Sequence, residues 1–448
     1  MLAETPAPGR VRPATLAVAC AAPLLALVNY TVPMVTLPET ARALDAGPTG
    51  PVWMLNSVTL GLAVSLLLAG GFADDHGRRR VYALGMASLA VSSAIVALSD
   101  GVPVFVFGRF AQGVASAAVL AASLGIVGHA YPAGPERLRA TGRYGAMLGL
   151  GIAVGPLVSG GLAALSSWRS VYWVMGGAAA ALAVLAVRTL PESRAAKRRR
   201  LDVPGTVTLT LGLAALVTGV TEGRLGWTRP VVLAAFAAAA LLLIAFALVE
   251  TRRREPLIDM DLFRHPPFVA ATGGALVTGV AIIGLMSYLP SVLQLSLGMT
   301  PVGTAALLAV WSGASFVSAL LTPRVRLATR ARLALGLLLA AAGSLPLLGT
   351  VAHWSAAPVI AGLLVAGIGS GLINASLTHL AIESVPSHWV SMGSGANNTA
   401  RYVGSSVGAA LMAAVVGGHG LAAGTDITII GYAVVAALAA ALIRFAPS

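Results

Sequence analysis

Two arginines stand inside long apolar runs, Arg109 in VPVFVFGRFAQGVASAA (102–118) and Arg401 in ANNTARYVGSSVG (396–408). An arginine at the centre of a bilayer costs about 2.5–3.5 kcal/mol on an insertion scale, so it persists only where something polar receives it. Gln112 lies one helical turn from Arg109, and Asn397 and Asn398 precede Arg401 by about one turn. Two readings of Arg109 are open at this point: it faces a polar pathway, or it snorkels to the nearer interface. If both guanidiniums face a pathway without acid partners, that pathway is net positive. It then suits neutral or anionic amphiphiles better than lipophilic cations.

The remaining reactive residue types form no enzyme site. GSSVG (404–408) fits a nucleophile pattern that needs a strand–turn–helix elbow. Here it lies inside an apolar run, so Gly404 and Gly408 read as a small-residue packing face. GIGSG (367–371) reads the same way. None of the seven histidines is followed by Glu, so there is no zincin sequence. The single cysteine, Cys20, excludes a disulfide framework and a multi-cysteine metal site. The one lysine, Lys197, follows no glycine-rich loop, so the chain holds no Walker A sequence and no ATP-driven pump. No catalytic residue, metal or cofactor is expected.

These residues must be positioned by membrane helices. Of 448 residues 57% are hydrophobic and 10% are charged, with mean hydropathy +0.86. A soluble domain carries about 25% charged residues. A water-soluble globule and a disordered chain are both excluded. A helix crosses the hydrocarbon core in about 20 residues. That ruler predicts fourteen spans: 14–37, 51–72, 80–98, 103–128, 143–165, 170–190, 204–221, 229–249, 267–289, 302–321, 331–351, 356–378, 393–416 and 424–445. The runs are continuous rather than alternating, so helices are expected, not barrel strands. The first run passes into Asn29, Tyr30 and Pro33 without a small-residue cleavage site, so no signal peptide is expected.

The basic residues orient the chain. Placing the N-terminus in the cytoplasm leaves 23 Arg or Lys on the inner side, 4 on the outer side, and Arg109 and Arg401 within spans. Both termini are thus expected to be cytoplasmic. The net charge of +13 is topological, and nucleic acid is not an expected partner. Two basic inner loops, 191–205 and 250–267, divide the spans into six, an inserted pair, and six more. The expected units are an N-terminal six-helix bundle (1–190), linkers with the inserted pair (191–266), and a C-terminal six-helix bundle (267–448). Two bundles around a central pathway is the plan of a rocking transporter.

Three local elements add detail. In AGGFADDHGRRR (69–80), Gly70 and Gly77 permit a tight turn, and Asp74 can cap a neighbouring helix N-terminus or pair with a basic residue. An ordinary basic loop is the alternative. In GLGIAVGPLVSGG (149–161), Gly155 and Pro156 predict a thin, bent helix, whereas simple small-residue packing explains only the glycines. In RFAQG (109–113), Gly113 lets another helix approach.

Taken together, these elements resemble the major facilitator superfamily, specifically its fourteen-span drug:proton antiporters. The loop 70–80 is similar to the family's G-x-L-A-D-R-x-G-R-R-R element. RFAQG is similar to its R-x-x-Q-G element, and GIAVGPLVSGG (151–161) to the exporter element G-x-x-x-G-P-x-x-G-G. VNYTVPMVTLP (28–38), SWRSVYW (167–173), LDVPG (201–205), VETRRREPLIDMDLFR (249–264) and residues 385–408 match the fourteen-span branch. The resemblance implies an all-α major facilitator fold of 6 + 2 + 6 helices in a bacterial cell membrane. It implies a monomeric exporter of small amphiphilic molecules such as drugs and antibiotics, working by proton-coupled antiport and alternating access. Asp74, Gly70, Gly77, Arg78, Arg109, Gln112, Gly155 and Pro156 are the implied coupling and gating residues.

Two departures stand out. The family pattern has Asp where this chain has Asn29, which cannot titrate, and Arg where this chain has Asp75. No carboxylate falls at a span midpoint, so Glu39, Asp426 and His379 are the remaining proton-site candidates. An uncoupled facilitator or lipid-type transporter on the same fold is the alternative, with a channel or membrane enzyme behind it. The expected cavity lining is Asn29, Tyr30, Asn56, Tyr288, Gln294, Trp311, Asn374, Asn397, Asn398 and Arg401, together with Arg109 and Gln112.

Overall fold

The computed structural model describes residues 13–131, 135–194, 202–253, 256–385 and 390–445. Among these, every regular element is helical: α1 (Pro13–Thr31), α2 (Pro33–Ala43), α3 (Gly50–His76), α4 (Arg78–Ala97), α5 (Val102–Ala130), α6 (Pro135–Leu165), α7 (Trp168–Thr189), α8 (Val203–Gly223), α9 (Pro230–Glu250), α10 (Pro266–Val277), α11 (Gly284–Leu297), α12 (Pro301–Leu321), α13 (Thr329–Ser344), α14 (Ala356–Glu383), α15 (Val390–His419) and α16 (Leu421–Phe445). Among the described residues, fourteen helical segments are long and apolar enough to cross a membrane. Many helices open with proline in the first turn, where its missing N–H is harmless and its φ is already helical. Asp202 caps α8 by accepting from the Gly205 N–H at 3.0 Å, and Thr300 caps α12 through Gly303 at 3.1 Å.

Prolines and glycines set the differences from the expected spans. The first run is not one helix over 14–37: it breaks at Val32 and continues to Ala43. Pro33 lacks the N–H that would bond the Asn29 carbonyl, so the rod bends there. The ninth span does not stop at 289. Pro290 sits inside α11, and α10, a π-helical turn at Thr278–Ile283 and α11 form one segment, Pro266–Leu297. The eleventh ends earlier than 351, because α13 passes into a 3-10 turn around Pro346. Gly70 makes no turn. α3 runs on to His76, and Gly77 alone reverses the chain with φ +104.

The packing repeats between the two six-helix sets. α1 packs on α6 as α10 packs on α15; α3 packs on α5 as α12 on α14; α4 packs on α5 and α7 as α13 on α14 and α16. The long cross-set seams obey the same exchange: α3 lies along α15, and α12 along α6. Glycine makes the within-set crossings close. A Cβ on Gly113 would meet the Val58 carbonyl and Gly61, and one on Gly404 would meet the Leu276 carbonyl and Gly279. α8 and α9 stand outside this symmetry. They pack on each other, and α8 lies against α3 and α15, covering one seam and not the other.

Candidate functional site

Arg109 is wholly buried, with 0% exposure, so the snorkelling reading is overturned. Its Nη1 donates to the Asn29 carbonyl at 2.9 Å, to Asn29 Oδ1 at 3.2 Å and to Gln112 Oε1 at 2.7 Å. Its Nη2 donates to the Tyr30 carbonyl at 3.4 Å. Gln112 passes the network on, donating from Nε2 to Ser93 Oγ at 2.8 Å, and the guanidinium stands 5.8 Å from the Tyr172 ring. The acceptor on Asn29 exists because of Pro33: the carbonyl that a helix would have used is free for the guanidinium. Among the described residues no carboxylate is within ion-pair distance of Arg109, and Asn29 Nδ2 has no partner.

The second charge is held differently. Arg401 is half-buried; Nη2 donates to Asn398 Oδ1 at 2.6 Å and Nη1 to Asn374 Oδ1 at 3.4 Å. Its guanidinium lies 5.4 Å from the Tyr402 ring. The two arginines are joined through aromatics rather than a shared surface. Tyr30 offers its carbonyl to Arg109 and its ring to Tyr402, edge-on at 5.8 Å.

Several of the other expected cavity residues tie the two helix sets together. The Tyr30 hydroxyl and Ser405 Oγ are 3.1 Å apart; Asn56 Nδ2 donates to the Ser406 carbonyl at 3.0 Å; Gln294 Nε2 donates to the Val35 carbonyl at 2.8 Å and to Thr304 Oγ1 at 3.0 Å. Thr399 adds a bond to the Ala63 carbonyl at 3.2 Å. Trp311 and Asn397 do not join the sets. Trp311 Nε1 donates to Ser370 Oγ at 3.1 Å, and Asn397 Nδ2 to the Ala271 carbonyl at 3.0 Å, both within the second set. Tyr288 lines a separate cleft beside Arg224.

The basic-face loop is built from local pairs. Asp74 Oδ1 accepts from Arg78 Nη2 at 2.6 Å and Nε at 2.8 Å. A residue not singled out in the sequence completes the turn. Glu192, just past α7, accepts from the Arg79 N–H at 3.2 Å and lies 3.7 Å from both Arg79 and Arg80. Its carboxylate fills the space beside Gly77 where a side chain would stand. The signal was a lone acid in PES (191–193) facing RRR (78–80) across the same expected inner side.

Each of the three proton-site candidates has a local partner. Glu39 accepts from the Trp168 N–H at 3.4 Å at the start of α7. Asp426 accepts from the Gly349 N–H at 2.9 Å, in a turn with φ +71. His379 and Glu383 pair at 2.8 Å, both exposed. On α6, Gly155 abuts Thr31 and Gly151 abuts the Leu24 carbonyl, so the Gly-Pro helix lies on α1 just below its break.

A doubled six-helix plan around one buried and one half-buried arginine, both hydrogen-bonded within the helices, defines a multi-span membrane fold. A family model described as Major Facilitator Superfamily matches residues 19–409, and the chain belongs to that superfamily. The chain is 34% identical over 447 residues to the puromycin resistance protein pur8 of Streptomyces alboniger, covering 95% of this chain and 88% of that protein. It is 32% identical over 384 residues to the multidrug resistance protein Stp of Mycobacterium tuberculosis (strain ATCC 25618 / H37Rv), covering 85% and 71%. A crystal structure of a POT family transporter in complex with a thioalcohol conjugated peptide has the same fold, with TM-score 0.73 over 96% of this chain and 95% of that one at 14% identity. The protein is therefore a multi-pass membrane transporter of the Major Facilitator Superfamily, and the relatives it resembles are antibiotic and multidrug resistance proteins.

Proposed function

We propose that this chain is a secondary active exporter of small amphiphilic molecules, neutral or anionic, that works by alternating access with its arginine-rich face in the cytoplasm. Residues 1–190 and 267–448 are the rocking units, 191–266 carries the inserted pair, and one chain suffices. The observation that carries the reading is the contrast in packing. Within each set, helices meet backbone to backbone through glycine. Between sets, neutral side-chain hydrogen bonds join Tyr30 to Ser405, Asn56 to Ser406, Gln294 to Val35 and Thr399 to Ala63, and the glycine contacts there are fewer, with Gly149 on Phe316, Gly395 on Leu67 and Gly160 at the Pro301 carbonyl. Each hydrogen bond contributes about 0.5–1.5 kcal/mol net, and none of these bonds is an ion pair, so they can exchange partners when the two bundles rock. The relatives' printed roles in puromycin and multidrug resistance support export of small drug-like molecules.

The coupling ion is the proton. The test is purified protein in liposomes with an imposed pH gradient and a panel of amphiphiles. Gradient-driven accumulation of neutral or acidic compounds is the expected result. Preferential export of a quaternary ammonium dye would overturn the substrate class. Asn29 favours a second reading, an uncoupled facilitator: measuring proton flux on substrate addition separates the two, because only the antiporter moves protons.

A further inference from the structure

We propose that a cleft on the face opposite the arginine-rich ends is a second binding site, one that takes an amphiphile with an acidic head group. The cleft has a volume of about 530 Å³ and lies between the end of α2, the turn leading into α3, the end of α8, and α11. That volume falls within the roughly 300–1,000 Å³ of small-molecule sites. Leu37, Pro38 and Leu295 supply an apolar wall. The polar groups converge from three separate elements.

Arg224 is brought there by the inserted pair, at the end of α8. Its Nη1 donates to the Pro48 carbonyl at 2.6 Å, its stem lies across Gly417 of α15, and its guanidinium faces the Tyr288 hydroxyl. One side chain thus touches both helix sets. The carboxylate on its own helix end, Glu222, pairs with Arg229 instead, at 3.7 Å. Arg42, exposed in the last turn of α2, lines the same cleft, and neither Arg42 nor Arg224 has an ion pair among the described residues. Asp45 also lines the rim, so the cleft carries two cations against one anion.

Ser291, 2% exposed, backs the wall of the cleft. Two guanidiniums without carboxylate partners among the described residues, set beside an apolar wall, match a carboxylate, sulfonate or phosphate on a hydrophobic body. An acidic head there competes with the Pro48 carbonyl for Arg224, and so loosens the strap that the inserted pair lays across the seam. The occupant comes from one of two sources: an exported amphiphile on its way out, or a lipid head group of that leaflet. Only the first source rests on the exporter reading.

The test uses full-length protein in phosphatidylcholine nanodiscs titrated with dansyl-undecanoate, with a dansyl-undecyl-trimethylammonium analogue as control. Saturable binding of the acid is expected. Arg42→Ala and Arg224→Ala should each weaken it about 10-fold or more, the loss of one charge-assisted bond. Arg42 is exposed at a helix end, so its removal leaves the fold intact and keeps the test open if Arg224→Ala misfolds. Replacing part of the phosphatidylcholine with phosphatidylglycerol identifies the source: competition with the probe marks a lipid head group, and none marks a free amphiphile. Equal binding of the ammonium analogue, no saturable signal, or unchanged affinity in both alanine variants overturns the site. The liposome export assay is run beside it. Export without cleft binding sinks this site alone, and cleft binding without export sinks the exporter reading alone.

Discussion

The guanidinium of Arg109 donates to the Asn29 carbonyl at 2.9 Å, the acceptor that Pro33 strips of its helical donor. A break in one helix and a charge in another are thus one feature. The bent first span supplies backbone acceptors at membrane depth, and the buried charge stabilises the bend.

Arg109→Ala is expected to abolish transport while the protein still reaches the membrane. It removes several charge-assisted bonds, each worth about 1.5–3 kcal/mol, and leaves the Asn29 carbonyl buried without a donor. Arg109→Lys should recover little, because a single ammonium cannot reach Asn29, Gln112 and Tyr30 as a planar fork does. Efflux measured at matched membrane abundance checks both; wild-type rates in Arg109→Ala would refute the role.

Asn29→Asp should place a carboxylate where Asn29 Oδ1 now accepts from Arg109 at 3.2 Å. It also removes an amide nitrogen that has no partner. A higher melting temperature near neutral pH is expected, as is substrate-induced proton movement larger than wild type. The gain should fade as pH falls and the new carboxylate protonates. Melting curves across pH, with proton flux in liposomes, read this out. A variant less stable than wild type near neutrality would show that the site does not accept the charge.

Two glycines of α6 should respond differently. A Cβ at Gly155 would collide with Thr31, whereas one at Gly145 meets nothing within 4 Å. Gly155→Ala is expected to lower stability and transport, since overpacking costs about 1–3 kcal/mol, and Gly145→Ala to be near neutral. Equal effects in a melting and efflux comparison would rule out close α1–α6 contact as the cause.

Glu192→Ala should destabilise by about 1 kcal/mol. It loses the acceptor for the Arg79 N–H at the start of α4, while its partly exposed pairs with Arg79 and Arg80 add little. Asp74→Asn, at a part-buried i,i+4 pair with Arg78 that keeps an amide oxygen as acceptor, should cost less than that. A thermal-shift series ranks the two, and the reverse ranking would make the Asp74 pair the main support of the loop.

Much of the architecture was legible before the fold, because bilayer thickness and the arginine distribution leave few solutions. Fourteen spans and the 6 + 2 + 6 division are matters of length, hydropathy and charge. The breaks were harder to place. Pro33 was visible, but whether a proline ends a helix or merely bends it depends on what receives the freed carbonyl. Pro290 stays inside α11, and Pro33 divides the first span.

Composition and spacing alone determined that this chain crosses a membrane many times, that Arg109 and Gln112 share a face, and that residues 149–161 form a thin, bendable Gly-Pro helix. Only the tertiary structure decided what those groups touch. It put Asn29 and Tyr30 under Arg109, joined Asn56 to Ser406 across 350 positions of sequence, set Glu192 on the α4 start, and carried Arg224 from the inserted pair to the Pro48 carbonyl. The physical reason is that hydropathy acts along each helix by itself. Hydrogen-bond partners inside a bilayer are set by how helices cross, and the crossings depend on glycine contacts between segments far apart in the chain.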